Sequence, residues 1–273
     1  MIEIVSEGAH AGAARVVLFD FDGTLSLIRA GWMDVMVPMM VDLLQQTGSG
    51  ETPGELREIV LDYVGRTTGK ETIYQMMELA GHIQRRGGTP EEPIVYKRMY
   101  LDRLWDHIEN RVKELKSGDA SPEKYLVPGS KALLDALKER GFTMYLASGT
   151  DHDDVVAEAR LLGIHDYFAG VYGAQDDLKS FSKGLLIKQI IDSAEFRGHE
   201  FLGFGDGYVE IEEVKKVGGT AVGVATREPE CLEVDDWKRG RLVGVGADFI
   251  IPNYLALQPL MDTLFQESAV QQP

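Results

Sequence analysis

The chain has 273 residues, 44% of them hydrophobic and 26% charged, which suits a globular protein of one large domain or two modest ones and excludes wholesale disorder. Its 28 Lys and Arg against 44 Asp and Glu leave a net charge of −16, so neither nucleic acid nor a membrane surface is expected as the main partner. An anionic ligand then needs a local positive site. The single cysteine, Cys231, excludes an intrachain disulfide framework and a Cys-rich zinc site, and fits a reducing compartment.

No stretch approaches the ~18–20 apolar residues of a membrane span. Met1 to Ala14 carries Glu3, Glu7 and His10, with no basic segment before an apolar run, unlike a secretory signal. A soluble cytoplasmic protein is the expectation.

In chain order, the first clear element is Val16-Val17-Leu18-Phe19, closed by Asp20-Phe21-Asp22-Gly23-Thr24. A continuous apolar run bounded in this way reads as a buried parallel strand. From Ser26 to Tyr125 the texture changes to Met, Leu, Glu, Arg and Gln at helical spacing. One stripe is Trp32, Val35, Met36, Met39, Met40, Leu43 and Leu44; a second is Ile73, Met76, Met77 and Ala80; a third is Leu101, Leu104, Trp105, Ile108 and Val112. Gly48-Ser49-Gly50 and Gly87-Gly88-Thr89-Pro90 punctuate them, and Pro38 kinks or starts the first helix. From Leu126 to Leu264 strands and helices alternate. The expected strands are Phe142 to Ala147, Tyr167 to Tyr172, Phe201 to Phe204, Ala221 to Ala225 and Phe249 to Ile251. The expected helices are Asp153 to Leu162, Gly184 to Glu195, Val209 to Val217 and one after the last strand. Glu228 to Asp236 reads as an acidic, solvated loop or short helix.

This alternation predicts a doubly wound parallel α/β sheet. The first strand ends near Asp20 and the next begins near Phe142, far too long an interval for an ordinary connection. The interval must fold by itself. The expected architecture is a Rossmann-like core made of residues 1–25 and 126–273, with a mainly helical cap, residues 26–125, inserted after the first strand. Ligands bind outside the carboxyl ends of such strands, so the cap covers the site.

The residues after the strands carry the chemistry. They are Asp20 and Asp22; Ser148-Gly149-Thr150; Lys183, before a helix; and Gly205-Asp206-Gly207 with Glu210. Crowded carboxylates without His or Cys call for a hard cation, and Mg²⁺ is the natural choice. A hydroxyl, backbone amides and a lysine cradle a phosphoryl group. One carboxylate serves as nucleophile and the other as proton carrier. Taken singly, these residues have plainer readings: Asp-Gly as a turn, Ser148-Gly149-Thr150 as a helix cap, Lys183 as a surface lysine. Lys179 competes with Lys183 for the lysine role.

The four motifs in this order, with an insertion after the first, resemble the haloacid dehalogenase-like hydrolase superfamily from Arg15 to Phe265. The resemblance implies that Asp20 attacks phosphorus and that Asp22 protonates the leaving oxygen and then activates water. It implies Mg²⁺ held by the Asp20 and Asp206 carboxylates and the Asp22 carbonyl, with Glu210 fixing the lysine or a metal-bound water. Ser148, the Gly149 amide, Lys183 and Thr24 would meet the phosphoryl group. Dehalogenases and phosphonate-cleaving members of the superfamily lack an acid at the position of Asp22, so its presence favours phosphate monoesters or phosphomutase chemistry. The fourth motif departs from the common pattern in having Glu210 where Asp is frequent. Substrate recognition falls to the cap. Arg29 and Trp32 lie just after the first motif, and Arg66, Thr68 and Lys70 form a polar cluster between helices. The expected activity is Mg²⁺-dependent hydrolysis of a small phosphorylated metabolite, sugar phosphates among the candidates. A phosphomutase and a non-catalytic metabolite-binding protein are the alternatives. The Met33, Met36, Met39 and Met40 stripe reads as cap core, His152 as a surface residue, and Cys231 as lacking a catalytic partner. The sequence does not give the oligomeric state.

Overall fold

The computed structural model describes residues 2–175, 182–192 and 196–265. Lys179 lies outside the described residues, as does the end of the helix expected to reach Glu195.

The buried run Val16-Val17-Leu18-Phe19 is a strand with no room for polar side chains on either face. In chain order the strands are β1 (Glu3–Ile4), β2 (Val16–Phe19), β3 (Thr143–Asp151), β4 (Gly170–Ala174), β5 (Phe201–Gly205), β6 (Thr220–Val224) and β7 (Phe249–Ile251). They form a seven-stranded sheet in the order β1-β7-β6-β5-β2-β3-β4. All pairings are parallel except β1 on β7, a two-residue antiparallel edge that the sequence pattern did not reveal. Strand order reverses at β2, between β5 and β3, which opens a crevice at their carboxyl ends.

Four α-helices follow β2 in the inserted stretch, α1 (Trp32–Gln45), α2 (Pro53–Thr67), α3 (Thr72–Arg85) and α4 (Pro93–Ser117), before the chain returns to the core ahead of β3. They make up the inserted helical cap. Pro38 lies inside α1 and neither starts nor ends it; its ring faces solvent, while Met36, Val37, Met39 and Met40 are buried. Helix α2 was not among the expected stripes, although Leu56, Val60, Tyr63 and Val64 are buried along it. Thr52 caps it through a reciprocal box with Glu55. In α4 the buried face runs through Tyr96, Tyr100, Leu104, Ile108, Val112 and Leu115, so Trp105 points outward.

The core helices follow: α5 (Ser130–Glu139), α6 (His152–Leu161), α7 (Lys183–Asp192), α8 (Tyr208–Lys216), α9 (Asp236–Gly244) and α10 (Leu257–Leu264). Helix α9 begins at Asp236, the last residue of the stretch Glu228 to Asp236 expected as an acidic, solvated loop or short helix, and was not itself expected. Among its residues only Leu242 is buried, which is why no apolar stripe announced it. The two chain segments that join core and cap run side by side, with Leu27 N–H donating to the Tyr125 carbonyl at 2.8 Å and Val127 N–H to the Leu25 carbonyl at 2.9 Å. Among the described residues, no helix is long and apolar enough to cross a membrane.

Candidate active site

Three neighbouring strands deliver the motif residues to the crevice. Asp20 follows β2 directly, and its amide donates to the Phe204 carbonyl of β5 at 2.9 Å. Gly23 turns the chain with φ +73°, and a Cβ there would strike the Asp206 carboxylate, so glycine serves both the turn and the close approach. Strand β3 loses its regular register on β4 between Ala147 and Asp151, and Ser148-Gly149-Thr150 sits in that irregularity. Bulges of this kind re-aim side chains beside active sites.

Lys183, the first residue of α7 and 3% exposed, donates to Asp20 Oδ1 at 2.6 Å and to Glu210 Oε2 at 2.8 Å. Glu210 Oε1 accepts the Gly207 amide at 2.7 Å, which fixes the turn into α8. Asp20, Asp206 and Glu210 each offer an oxygen within 4.8 Å of the other two. Burial pushes the Asp20 carboxyl well above the usual range; Lys183 pulls against this, while the charges of Glu210 and Asp206 add to it. Burial also opposes the Lys183 charge, but Asp20 and Glu210 more than offset it, so the ammonium form is held.

The donor set fits a divalent metal. All the donors are oxygens, and these three carboxylates outnumber the two ammonium groups of Lys183 and Lys238 that touch them. The Asp22 side chain stands outside this group. Its Oδ2 accepts Ser148 Oγ at 3.1 Å and Thr150 Oγ1 at 2.8 Å, and its buried Oδ1 has no hydrogen-bond partner among the described residues. The two aspartates therefore sit in different surroundings: Asp20 among a lysine and acids, Asp22 among hydroxyls with one oxygen free.

A cavity opens over these groups, with about 580 Å³ of empty space including its mouth. The core lines it with Asp20, Asp22, Ser148, Gly149, Thr150 and Asp206, and the cap side with Arg29, Trp32, Met36, Gln75 and Tyr100. The linker Thr68-Gly69-Lys70 between α2 and α3 reaches down to it. A Cβ built on Gly149 would fall on the Lys70 carbonyl oxygen, so the cap rests directly on the second motif.

Two expected phosphate or substrate contacts stand elsewhere. Thr24 is fully buried; its hydroxyl accepts the Asp206 amide at 2.9 Å and lies 3.4 Å from Asp20 Oδ2, bracing the first and fourth motifs instead of facing the cavity. Arg66 does not line the cavity; it is exposed and pairs with Asp62 at 2.7 Å, one turn back on α2. Arg29 does line it, but its Nε and Nη2 are bonded to Glu158 and Asp154. Burial pushes Glu158 up to about 7 despite that guanidinium. His152, expected at the surface, has a buried Nδ1 without a partner among the described residues.

The residue least legible in the sequence is Lys238 of α9. Its ammonium donates to Asp206 Oδ2 at 2.9 Å and lies 3.4 Å from Glu228 Oε1. Glu228 in turn accepts the amide of Gly31, at the start of α1, at 3.0 Å. Nothing in the pattern around Lys238 marks it, since its helix buries only Leu242 and its partners are distant in sequence. Gln75 and Tyr100 had a signal that went unread, because each is a polar group on the buried face of a helix.

Comparison with known proteins agrees with this geometry. The family model for haloacid dehalogenase-like hydrolases matches residues 14–218. No curated protein sequence matches. Among solved structures, the fold is similar to a predicted phosphoglycolate phosphatase from Haemophilus somnus, at 13% identity and TM-score 0.58, covering 91% of this chain and 98% of that one. It is similar to β-phosphoglucomutase from Clostridium difficile, at 13% identity and TM-score 0.59, covering 92% and 97%. It is also similar to a phosphonoacetaldehyde hydrolase-like protein from Oleispira antarctica, at 17% identity and TM-score 0.57, covering 95% of each chain. At these identities the structures speak for the fold alone, whereas the family match spans most of the chain: it belongs to the haloacid dehalogenase-like hydrolases.

Proposed function

We propose that the protein is a Mg²⁺-dependent phosphatase that hydrolyses a small phosphorylated metabolite through an aspartyl-phosphate on Asp20. One observation carries this reading, the contrast between the two aspartates of the first motif. Asp20 is held by Lys183 beside Asp206 and Glu210, while Asp22 keeps an unpartnered oxygen in the same site.

In the proposed reaction an Asp20 oxygen attacks phosphorus as the bond from phosphorus to the alcohol oxygen breaks. Asp22 gives its proton to that oxygen. Water then attacks the phosphorus of the aspartyl-phosphate and surrenders a proton to Asp22, phosphate departs, and the Asp20 carboxylate returns. Lys183 meets the negative charge around Asp20, and Ser148 Oγ with the Gly149 amide meets the phosphoryl oxygens. The carboxylates of Asp20 and Asp206 and the Asp22 carbonyl are the proposed ligands of Mg²⁺, with Glu210 acting on Lys183; a bound cation would neutralise phosphoryl charge. Thr24 acts by holding Asp206, and Arg66 has no assigned contact.

The division into core, 1–25 and 126–273, and cap, 26–125, belongs to the same reading. The paired segments at Leu25–Leu27 and Tyr125–Val127 support a hinge there, about which the cap closes to exclude bulk water. The unpaired Cys231 suits action in a reducing cytoplasm.

The test is phosphate release from a panel of phosphate monoesters that includes nitrophenyl phosphate. The expected result is release that is abolished by EDTA and restored by Mg²⁺. Folded protein that releases nothing from any of them in Mg²⁺ overturns the reading. Transfer of phosphate back to a sugar phosphate would instead make the protein a mutase.

A further inference from the structure

The cap side of the cavity contains two polar side chains that no protein group pairs among the described residues. Gln75 is 5% exposed and Tyr100 4% exposed, both line the cavity, and neither side chain has a hydrogen-bond partner among the described residues. Their polar atoms are not among those sealed from solvent; they open to the cavity, where a ligand that displaces water would complete them. They do not belong to the phosphoryl cradle, which the core motifs supply.

Their chemistry narrows the ligand. A carboxamide and a phenol can each both donate and accept, which matches hydroxyl groups; an anion only accepts. The charges nearby argue the same way. Arg29 is already matched by Glu158 at 2.8 Å and Asp154 at 2.9 Å, which leaves Lys70, exposed on the loop, as the one unpaired cation of the lining among the described residues. Asp20, Asp22 and Asp206 line the same space, so a second anionic group on the substrate would meet three carboxylates against the single solvent-screened ammonium of Lys70. Trp32 and Met36 add apolar surface suited to the C–H face of a carbon skeleton.

We infer that Gln75 and Tyr100 are the specificity-determining pair, and that they select a phosphate monoester whose leaving group is an uncharged, hydroxyl-bearing carbon skeleton. This rests on the phosphatase reading and extends it to the part of the substrate that does not react. The pair touches the leaving group and takes no part in moving the phosphoryl group.

The experiment compares kcat/KM for glycerol phosphate, glucose phosphate, phosphoglycolate and nitrophenyl phosphate in the wild type, Gln75→Leu and Tyr100→Phe, with a thermal melt to establish folding. The wild type is expected to prefer a hydroxylated compound over phosphoglycolate. Each substitution is expected to lower kcat/KM for that compound at least about tenfold more than for nitrophenyl phosphate, which offers no hydroxyl. The inference is overturned by a wild-type preference for the carboxylate-bearing phosphoglycolate. It is equally overturned if both folded variants keep the wild-type ratio between hydroxylated compound and nitrophenyl phosphate. Those outcomes leave phosphate release itself intact, whereas a wild type inactive on all four compounds removes the phosphatase reading and this inference together.

Discussion

Gly149→Ala separates closure of the cap from the stability of the core. Gly149 has no left-handed backbone torsion, so alanine brings no conformational strain of its own, and the amide proposed to bind phosphate remains. The added methyl would overlap the Lys70 carbonyl oxygen and lie 2.8 Å from its carbon and 3.2 Å from the Glu71 nitrogen. Carbon atoms settle at about 3.5–4.0 Å, so the loop must retreat by about 1 Å. The obstacle is backbone, which cannot rotate aside as a flexible side chain would. A shift of that size in groups that position a substrate costs about a hundredfold in rate. Because the cap can yield by opening at its hinge, the core sheet should be little affected. The assay is kcat/KM for phosphate release alongside a thermal melt. The expected result is a fall of about a hundredfold with the melting temperature changed by no more than a few degrees. Full activity in a folded Gly149→Ala protein would refute the reasoning, because the cap loop would then not rest on the second motif during turnover.

Three other predictions use buried charges and the cap. Arg29→Met strands the buried Glu158 and should cost about 3–5 kcal/mol in urea unfolding, much of it recovered in the double variant with Glu158→Gln; a loss under 1 kcal/mol would contradict the pairing. Lys238→Met leaves Asp206 facing Glu228 with no cation between them, so the melting temperature should fall without metal and Mg²⁺ should restore more of it than in the wild type. An equal Mg²⁺ shift in both proteins would show that Lys238 does not bear on the metal site. His82 stacks on Tyr63 at 4.7 Å and lies beside Arg86; burial, then the charges of Arg85 and Arg86, hold its pKa below the ordinary value of 6.5. The unfolded chain thus takes up the proton first, and stability is lost as pH falls below 6.5. Between about pH 7.5 and about pH 5.5 the wild type should lose more in melting temperature than His82→Gln.

The parts of this molecule legible in the sequence are those where local pattern and tertiary role coincide. Strand β2 is buried on both faces, so its four apolar residues announce it, and the acids that follow had to lie at the sheet's carboxyl edge. The interval before β3 required a folded insertion whatever its detail. Lys183 could be singled out because it opens a helix, and the structure adds what spacing could not, its bonds to both Asp20 and Glu210. Helix α2 escaped because its apolar residues are spread among Glu, Arg, Asp and Gly, and its buried Tyr63 and Thr67 carry polar atoms. Helix α9 buries too little to show a stripe, which hid Lys238 with it. Thr24 and Arg66 stand away from the cavity for a different reason: nearness in sequence to a motif or a cap loop does not fix where a side chain points. Thr24 turns inward to the Asp206 amide, and Arg66 finds Asp62 one turn away.

The central claim is that Asp20 is the nucleophile. It is tested most directly by acid-quenching the enzyme during turnover of a radiolabelled phosphate monoester, mapping the label, and measuring release by Asp20→Asn in parallel. The account predicts a hydroxylamine-labile label on the peptide that holds Asp20, and loss of both label and phosphate release in Asp20→Asn. Phosphate release by Asp20→Asn at the wild-type rate, with no label on that peptide in either protein, would contradict it.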